Sequence, residues 1–240
     1  MKLIRGDSTA VVRPVLPGEG GSIPASPLHS DPRLKVREVF AKEAMAMVVE
    51  RHYLHRKTSI SYAFGLFFEG KMVGVCTFGC PPSRHLQMGA CPTDPSMVIE
   101  LNRLWISDEM GRNTESWFIS RALKLLPPRI VVSYADTSWG HIGYIYRASN
   151  FYYAGWTDME RKTPRYDYLA PGKHTRDAFR GGAGAKSKKV RRKPKHKYWT
   201  TTGNRRERKK LAALCGWPTL MWKPHVAAEN AHNVQSTREK

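Results

Sequence analysis

The sequence has few acidic residues for its length. Its 240 residues include 20 Asp and Glu side chains against 40 Lys and Arg, which gives a formal net charge of +20 at pH 7. Such an excess of positive charge indicates a polyanionic partner. Nucleic acid is favoured over a membrane surface, because no basic amphipathic helix stands out in the sequence.

Long apolar runs and cysteines are also scarce. No run approaches the roughly 18 apolar residues that a membrane span needs, and residues 1–7 lack the apolar core of a signal peptide. The four cysteines are too few and too scattered for a disulfide framework, and none has a His or Cys partner at zinc-finger spacing. These absences favour a protein of the reducing cytoplasm with no membrane partner.

Composition divides the chain into three parts. Residues 1–32 are rich in Pro, Gly and Ser, which is typical of an extended arm. Residues 33–172 mix helical and strand patterns, whereas residues 173–240 begin with a strongly basic segment. The middle part is predicted to be one α/β (α+β) domain, with a mixed, mostly antiparallel sheet flanked by helices.

Hydrophobic periodicity locates the elements of this domain. The predicted helices cover residues 36–51, a stretch capped by Asn113 or Thr114, a short segment before Phe151, and residues 204–214. The predicted strands cover residues 61–68, 72–78, 98–106, 130–136, 152–157 and 165–169. The first two strands form a hairpin and the last two pair with each other, while residues 79–95 form a loop. Residues 215–222 form an apolar patch that docks back on the domain.

The strand of residues 130–136 is the first place to look for chemistry. Its apolar run ends at Asp136, and a polar segment with two glycines follows. A carboxylate at the carboxyl end of a buried strand lies where open α/β folds usually bind ligands. The alternative is that Asp136 only caps the turn.

Two further segments carry candidate binding residues. The loop after the strand of residues 98–106 leads into a capped helix start, where free amides and the helix dipole favour a phosphate. His52 and His55, three residues apart at the end of the first helix, could hold a metal ion from one face. Equally, they could cap carbonyl groups or contact an anion.

The basic segment covers residues 173–210. It holds sixteen Lys and Arg against two acidic residues, so it supplies +14 of the net charge of +20. Phosphate neutralisation is its simplest function, and Tyr198 and Trp199 could stack on bases or sugars. The alternative is a solvated tail without a partner. The DNA-binding candidates in this segment are Lys188, Lys189, Arg191, Arg192, Lys193, Lys195, Lys197, Tyr198, Trp199, Arg205 and Arg206.

The order of elements resembles that of the GNAT-type N-acyltransferases. In that family a strand leads to a loop that holds the coenzyme A pyrophosphate, and a later helix ends in a Tyr-x-x-x-Gly-Phe-like motif. Here the corresponding segments are residues 101–106, 108–116 and 130–136, and the stretch from Tyr146 to Phe151. The loop departs from the family pattern, since Asn113 and Ser116 stand where small residues are expected.

A narrower resemblance is to the Mom DNA-modification proteins of Mu-like bacteriophages. It rests on ELNRLWI at 100–106, NTESWFIS at 113–120 and SYADTSWGHIGYIYRASNF at 133–151. It implies a phage-encoded enzyme of the host cytoplasm that converts adenine in double-stranded DNA to a carbamoylmethyl adenine. The modification is on the exocyclic amine and protects phage DNA from restriction enzymes. An acyl-coenzyme A donor and iron are the cofactors that it suggests, and a homodimer is one open oligomeric state.

The resemblance also implies roles for individual residues. Asp136 would act as a base or orienter near the adenine amine, and Tyr146 would face the donor. The other implied residues are His52 and Tyr53 in the acceptor pocket, Arg103, Gly111, Asn113 and Ser116 at the donor phosphates, and Tyr62 and Trp139 stacking on the target base. Two alternative functions stay open: acetyl-coenzyme A-dependent acetylation of a protein or small-molecule amine, and non-catalytic DNA binding.

Overall fold

The structure, a computed structural model, describes residues 31–158, 162–169 and 188–222. The predicted arm of residues 1–32 lies almost wholly outside the described residues. The helices are α1 (Ala41–Arg51), α2 (Arg84–Ala90), α3 (Thr114–Leu125), α4 (Tyr144–Ala148) and α5 (Arg205–Leu214). The strands are β1 (Leu34–Glu38), β2 (Tyr62–Phe68), β3 (Lys71–Gly79), β4 (Val98–Ile106), β5 (Ile130–Asp136), β6 (Tyr152–Trp156), β7 (Tyr166–Leu169), β8 (Lys188–Arg191) and β9 (Lys195–Thr201).

Seven strands form one sheet in the order β1-β2-β3-β4-β5-β9-β6. All neighbouring pairs are antiparallel except β4 and β5, which are parallel. Strands β7 and β8 form a separate two-stranded sheet. The predicted mixed, mostly antiparallel α/β architecture is therefore confirmed. In the described part of the chain, no helix is both long and apolar enough to cross a membrane.

One face of the main sheet carries a continuous core. Alternate residues of β2, β3, β4 and β5 pack there against α3 and α4, because successive side chains of a strand point to opposite faces. Phe78, Phe118, Ile119 and Phe151 are fully buried in this core. Burying side chains of this size stabilises the fold by about 1.5–3 kcal/mol each.

The opposite face is covered in two separate places. Ala44 and Val48 of α1 pack on β2 and β3, while Ala90 of α2 and Leu211 of α5 pack with residues of β4, β5 and β9. Between these two apolar clusters, strands β4 and β5 present polar side chains. This interruption of the core locates the candidate site.

Strands β4 and β5 also separate at this point. Only three residue pairs join them, and the last is Glu100 with Val132, although both strands continue beyond it. The buried Ser133 hydroxyl donates to the Leu101 carbonyl at 2.9 Å, just where the ladder stops. Beyond that bond, an opening forms between the two strands.

The basic segment does not form the separate extension that the sequence predicts. Strand β9 lies in the middle of the main sheet, between β5 and β6. Tyr198 and Trp199 are buried, with 0% and 4% of their surface exposed, so the prediction that they stack on bases is wrong. Both faces of β9 are covered, since Tyr198 packs in the continuous core and Trp199 packs on the opposite face with residues of α2 and α5. A domain boundary at residue 172 therefore does not describe this fold.

Three local predictions also need correction. Residues 34–38 form edge strand β1 rather than the first turn of a helix, because Leu34 and Val36 alternate with charged residues and pack on the core. Helix α2 lies within the predicted loop of residues 79–95. Strand β7 pairs with β8, and β6 pairs with β9, so the two strands predicted to pair with each other do not.

The end of the described chain agrees with its prediction. Asn204 caps α5 through a capping box with Glu207. The segment after α5 docks on the sheet: the Trp222 indole donates to the Tyr198 hydroxyl at 2.8 Å, and the Trp199 indole donates to the Pro218 carbonyl at 3.1 Å.

Candidate functional site

Asp136, the last residue of β5, lies at the centre of the polar interruption. Its neighbour in the sheet register is Lys195, and the Lys195 Nζ atom is 2.7 Å from Asp136 Oδ2. The other carboxylate oxygen accepts from the Ser138 amide at 3.0 Å. Burial alone would raise the pKa of Asp136, but the Lys195 and Ser138 hydrogen bonds outweigh it and lower that pKa. Asp136 is therefore an ionised, oriented carboxylate at neutral pH.

An aromatic group adjoins this carboxylate. His52 stacks on Tyr53 with ring centroids 4.3 Å apart, and Tyr53 meets Trp139 edge-on at 5.0 Å and His141 at 5.7 Å. His52 is buried, whereas Tyr53 and Trp139 are 42% and 56% exposed. The structure thus brings Trp139, proposed from the sequence as a stacking residue, together with the proposed pair His52 and Tyr53, and leaves two large aromatic surfaces open to a ligand.

His52 is a neutral side chain at physiological pH. Burial and the nearby cations lower its pKa to about 4. Its Nδ1 atom accepts from the Leu54 amide at 3.1 Å, so the network assigns the ring proton to Nε2. His52 therefore presents a hydrogen-bond donor at this site rather than a positive charge.

Strand β4 contributes two charged residues to the same face. Burial raises the pKa of Glu100 to about 7, although Arg103 and Lys195 act in the opposite direction. Arg103 interacts electrostatically with Tyr53 and Glu100, and its buried Nε–H has no hydrogen-bond partner. The structure therefore places Arg103 near Tyr53 and Glu100, whereas the sequence assigned it to the donor phosphates.

Tyr146 reaches the opening between β4 and β5 from the other face. It lies on α4, and its hydroxyl donates to the Tyr134 carbonyl at 3.4 Å. Burial raises its pKa to about 12, while a hydrogen bond with Ser133 acts to lower it. The phenol therefore keeps its proton at neutral pH. Tyr53, on the other face, adds a smaller electrostatic contribution that also raises the pKa of Tyr146.

The start of α3 carries the predicted phosphate-binding residues. Gly111 and Asn113 have positive φ angles of 71° and 66°, which turn the chain into the helix. Asn113 stands at the predicted cap position but makes no side-chain capping hydrogen bond. The Thr114 hydroxyl donates to the Met110 carbonyl and the Ser116 hydroxyl to the Asn113 carbonyl. Any anion here would be held chiefly by backbone amides of the first turn.

The two histidines suggested for a metal do not form a ligand cluster. His55 Nδ1 lies 3.0 Å from the Val49 carbonyl, and His52 Nδ1 is engaged with Leu54. Within residues 31–158, 162–169 and 188–222, no group of three or more His, Cys, Asp or Glu side chains is arranged to hold a metal ion. The described residues therefore do not fit an iron centre.

Comparison with known proteins places this arrangement in a family. The model of the Mom protein family matches residues 33–211, which include every residue of the site described above. The chain belongs to the Mom protein family.

A curated relative of this Mom-family chain is the methylcarbamoylase Mom of Escherichia phage Mu. The two are 36% identical over 135 residues, which cover 53% of this chain and 56% of the relative. The chain thus matches little more than half of the relative's length.

Solved structures with a similar fold are GNAT-family acetyltransferases. One from Streptococcus pneumoniae has a TM-score of 0.40 at 11% identity, covering 71% of this chain and 99% of its own. Another, from Bacillus cereus, has a TM-score of 0.41 at 12% identity with the same coverage.

The remaining candidates lie elsewhere. Tyr62, a predicted stacking residue, packs against the continuous core on the other face, and its hydroxyl accepts from Arg129 at 3.5 Å. Lys197 extends over the Trp217 ring at 5.2 Å, and Arg192 pairs with Asp167. The other cations predicted to bind DNA are exposed: Lys188, Lys189, Arg191, Lys193, Arg205 and Arg206.

Three members of the site were not identified as such from the sequence. Lys195 was counted among phosphate-binding cations, because its pairing with Asp136 appears only once β9 joins β5. The alternation in residues 195–201 was the available signal for that strand. Glu100 and His141 received no role, although a carboxylate within the apolar run of β4 is itself an informative signal.

Proposed function

We propose that this Mom-family chain is a phage-encoded enzyme that converts adenine in duplex DNA to carbamoylmethyl adenine. The modified position is the exocyclic amine, and the modification protects the DNA from restriction enzymes. The observation that supports it most directly is the ionised Asp136 beside the exposed Tyr53 and Trp139 rings, within a match to the Mom family. The activity named for the phage Mu relative agrees with this chemistry.

The acceptor would enter on the face that carries Asp136. Because a paired adenine amine is inaccessible, the base must leave the stack before it reacts. Tyr53 and Trp139 provide surfaces for the flipped base, at about 1–3 kcal/mol of stacking per base. Asp136 would accept a hydrogen bond from the amine and then its proton, once the new bond makes the nitrogen positive and acidic.

The donor would lie in the opening between β4 and β5. An acyl-coenzyme A fits the first turn of α3, where the amides that lack helical partners could bind its phosphates. When bound, the donor would have to present a carbamoylmethyl group whose methylene carbon bears a leaving group, which departs with the bonding electron pair as the adenine nitrogen attacks. Simple acetyl transfer leaves a carbonyl carbon on the amine, whereas the proposed product has a methylene carbon there. Tyr146, protonated at neutral pH, would donate a hydrogen bond to the donor.

DNA binding would use the exposed cations on both sides of this site. Those of β8 and of the segment before β9 lie next to Lys195, and those of α5 follow the other end of β9. Phosphate neutralisation by these residues predicts affinity that falls steeply with salt.

Nucleoside mass spectrometry tests this proposal. DNA from cells that express the wild-type chain should contain a deoxyadenosine that carries one carbamoylmethyl group and should resist restriction enzymes. DNA from cells that express Asp136→Ala at the same level should contain only ordinary deoxyadenosine. Absence of any new nucleoside with the wild-type chain would exclude the proposed function.

A further inference from the structure

The two-stranded sheet of β7 and β8 is a second feature beside the site. We call it the ribbon, residues 166–169 and 188–191. It is inserted in the chain between β6 and β9, which are neighbours in the main sheet. Among the described residues, neither of its strands pairs with the main sheet. The ribbon is therefore a separate element, and its function is not explained by the core.

The two faces of the ribbon differ in character. Tyr166 is opposite Arg191 and Tyr168 is opposite Lys189, so these four side chains share one face. The Lys189 Nζ atom lies 4.3 Å from the centre of the Tyr166 ring. The other face carries the half-buried Asp167 opposite Val190. Two cations interleaved with two tyrosines thus form the outward face.

The Asp167 face of the ribbon carries an ion pair between its two strands. The Arg192 guanidinium donates to Asp167, and the Arg192 amide donates to the Arg165 carbonyl at 2.9 Å. These bonds fix the end of the ribbon. Because successive side chains of a strand point to opposite faces, the Tyr166–Lys189 face lies on the other side of the ribbon from this ion pair.

The base of the ribbon is joined to the catalytic carboxylate. The Thr137 hydroxyl donates to the Pro194 carbonyl at 2.6 Å, and the next residue, Lys195, pairs with Asp136. Arg191 and Lys195 are four positions apart in sequence, so at most about 14 Å separates their Cα atoms. At 3.4 Å per base pair, a nucleotide on the ribbon lies within about four base pairs of the target.

We propose that the outward face of the ribbon docks in the major groove of duplex DNA beside the target adenine. This inference rests on the proposed function, because it takes an adenine amine as the target. The major groove, about 12 Å wide, admits a two-stranded ribbon, and it displays the N6 amine of adenine. Lys189 and Arg191 supply the charge that this groove and its phosphates attract.

Helix α5 offers a matched basic surface for comparison. Arg205 and Arg206 are exposed, as are the two cations of the ribbon face. They lie beyond the opposite end of β9, since Thr201 pairs with Ile130 and Lys195 with Asp136. Six residues of strand separate these ends by about 20 Å. Neutralising either pair removes two positive charges, but only one pair lies beside Asp136.

Methylation protection by dimethyl sulfate distinguishes these surfaces. The reagent methylates guanine N7 in the major groove and adenine N3 in the minor groove, so one experiment reports on both grooves. The full chain carrying Asp136→Asn should protect guanine N7 atoms of a duplex oligonucleotide. Adding Lys189→Gln with Arg191→Gln should abolish that protection and weaken duplex binding about tenfold at moderate salt. Adding Arg205→Gln with Arg206→Gln should leave N7 protection in place on bound duplex.

The controls separate folding, charge and function. Thermal melting should be unchanged in both double variants, and Lys189→Arg with Arg191→Lys should keep the footprint because charge and reach are conserved. Unaltered N7 protection in the ribbon variant, or protection of adenine N3 instead, would overturn the proposal. Because the footprint needs no turnover, failure of the proposed function appears in the nucleosides alone, and failure of the ribbon proposal appears in the footprint alone.

Discussion

The two faces of the main sheet use the same strands in opposite ways. On one face, alternate residues of β2 to β5 join one apolar core with α3 and α4. On the other, the core is divided, and Glu100, Arg103 and Asp136 occupy the gap. Polar residues that would be costly in a closed core are tolerated where the layer above the sheet is open. The open face therefore buries fewer apolar side chains, and in their place it holds charged side chains that a ligand can reach.

Substitution of Asp136 should have the largest effect on activity. Asp136→Asn keeps the size of the side chain but removes the charge and the proton acceptor. We expect the rate of adenine modification to fall by about 10²–10⁴-fold, the usual contribution of a positioned acid or base. The protein should stay folded, since the partner Lys195 is partly exposed. Nucleoside mass spectrometry and thermal melting measure the two quantities.

Phe118→Ala provides the matched test on the closed face. Phe118 is fully buried in the continuous core, so its truncation should reduce the free energy of unfolding by about 3–5 kcal/mol. Activity per folded molecule should change less than in Asp136→Asn, because Phe118 lies on the opposite face of the sheet from Asp136. Loss of stability in Asp136→Asn that equals the loss in Phe118→Ala would contradict the division of roles between the faces.

Trp139→Ala should have the next largest effect. The exposed ring lies edge-on to Tyr53, where a flipped base could stack on either. Removing one stacking surface should cost about 1–3 kcal/mol of base binding. We expect KM for DNA to rise while kcat changes less, and Trp139→Phe should restore most of the loss. A fall in kcat alone, at unchanged KM, would exclude a role for Trp139 in holding the base.

Sequence patterns predicted some features of these two faces better than others. The strand ending at Asp136 was predicted with its boundaries, because an apolar run ending in a carboxylate is a local pattern. The role of Lys195 was not, because its pairing with Asp136 crosses 59 positions of sequence. Nothing within residues 188–201 distinguishes a cation that binds phosphate from one that binds a carboxylate. Such long-range pairings arise from sheet topology, which single-sequence patterns do not specify.

The burial of Tyr198 also depends on a long-range contact that the sequence does not specify. Lysines surround it in sequence, yet it fills the space beside Gly143, where a Cβ atom would lie 2.4 Å from the Tyr198 ring. Gly143 also has a φ of 82°, which favours glycine. The glycine was visible in the sequence, but the ring that requires it was 55 positions away.

Glu100→Gln tests how strongly the Glu100 side chain on the open face is desolvated. Burial raises the pKa of Glu100 from 4.5 to about 7 in the folded state, so ionisation of this residue opposes folding. The cost is absent below pH 4.5, increases from there to about pH 7, and is complete above it. The glutamine variant should therefore match wild type at pH 4 and be more stable by on the order of 3 kcal/mol at pH 8. Denaturant unfolding at both pH values measures this, and equal stability at pH 8 would mean that Glu100 is well hydrated.

Lys195→Met should have the smallest effect at neutral pH. Lys195 lowers the pKa of Asp136, and without it the effect of burial, which raises that pKa, is opposed by Ser138 alone. The Ser138 hydrogen bonds still favour the carboxylate, so we expect it to stay ionised at pH 7. The loss of orientation alone should then reduce activity by less than about tenfold. Below pH 5 the loss should grow, because the variant's Asp136 takes up its proton at a higher pH than the wild type's.

A pH profile of kcat/KM distinguishes this role from DNA binding. If Lys195 positions Asp136, the acid limb of the profile moves to higher pH in Lys195→Met and returns in Lys195→Arg, which keeps the charge. Lys193→Met, which removes a neighbouring exposed cation, should raise KM without moving that limb. If both methionine variants only raise KM, Lys195 acts as a phosphate contact, and the ion pair with Asp136 has no part in the reaction. The open face would then depend on Ser138 alone to orient its carboxylate.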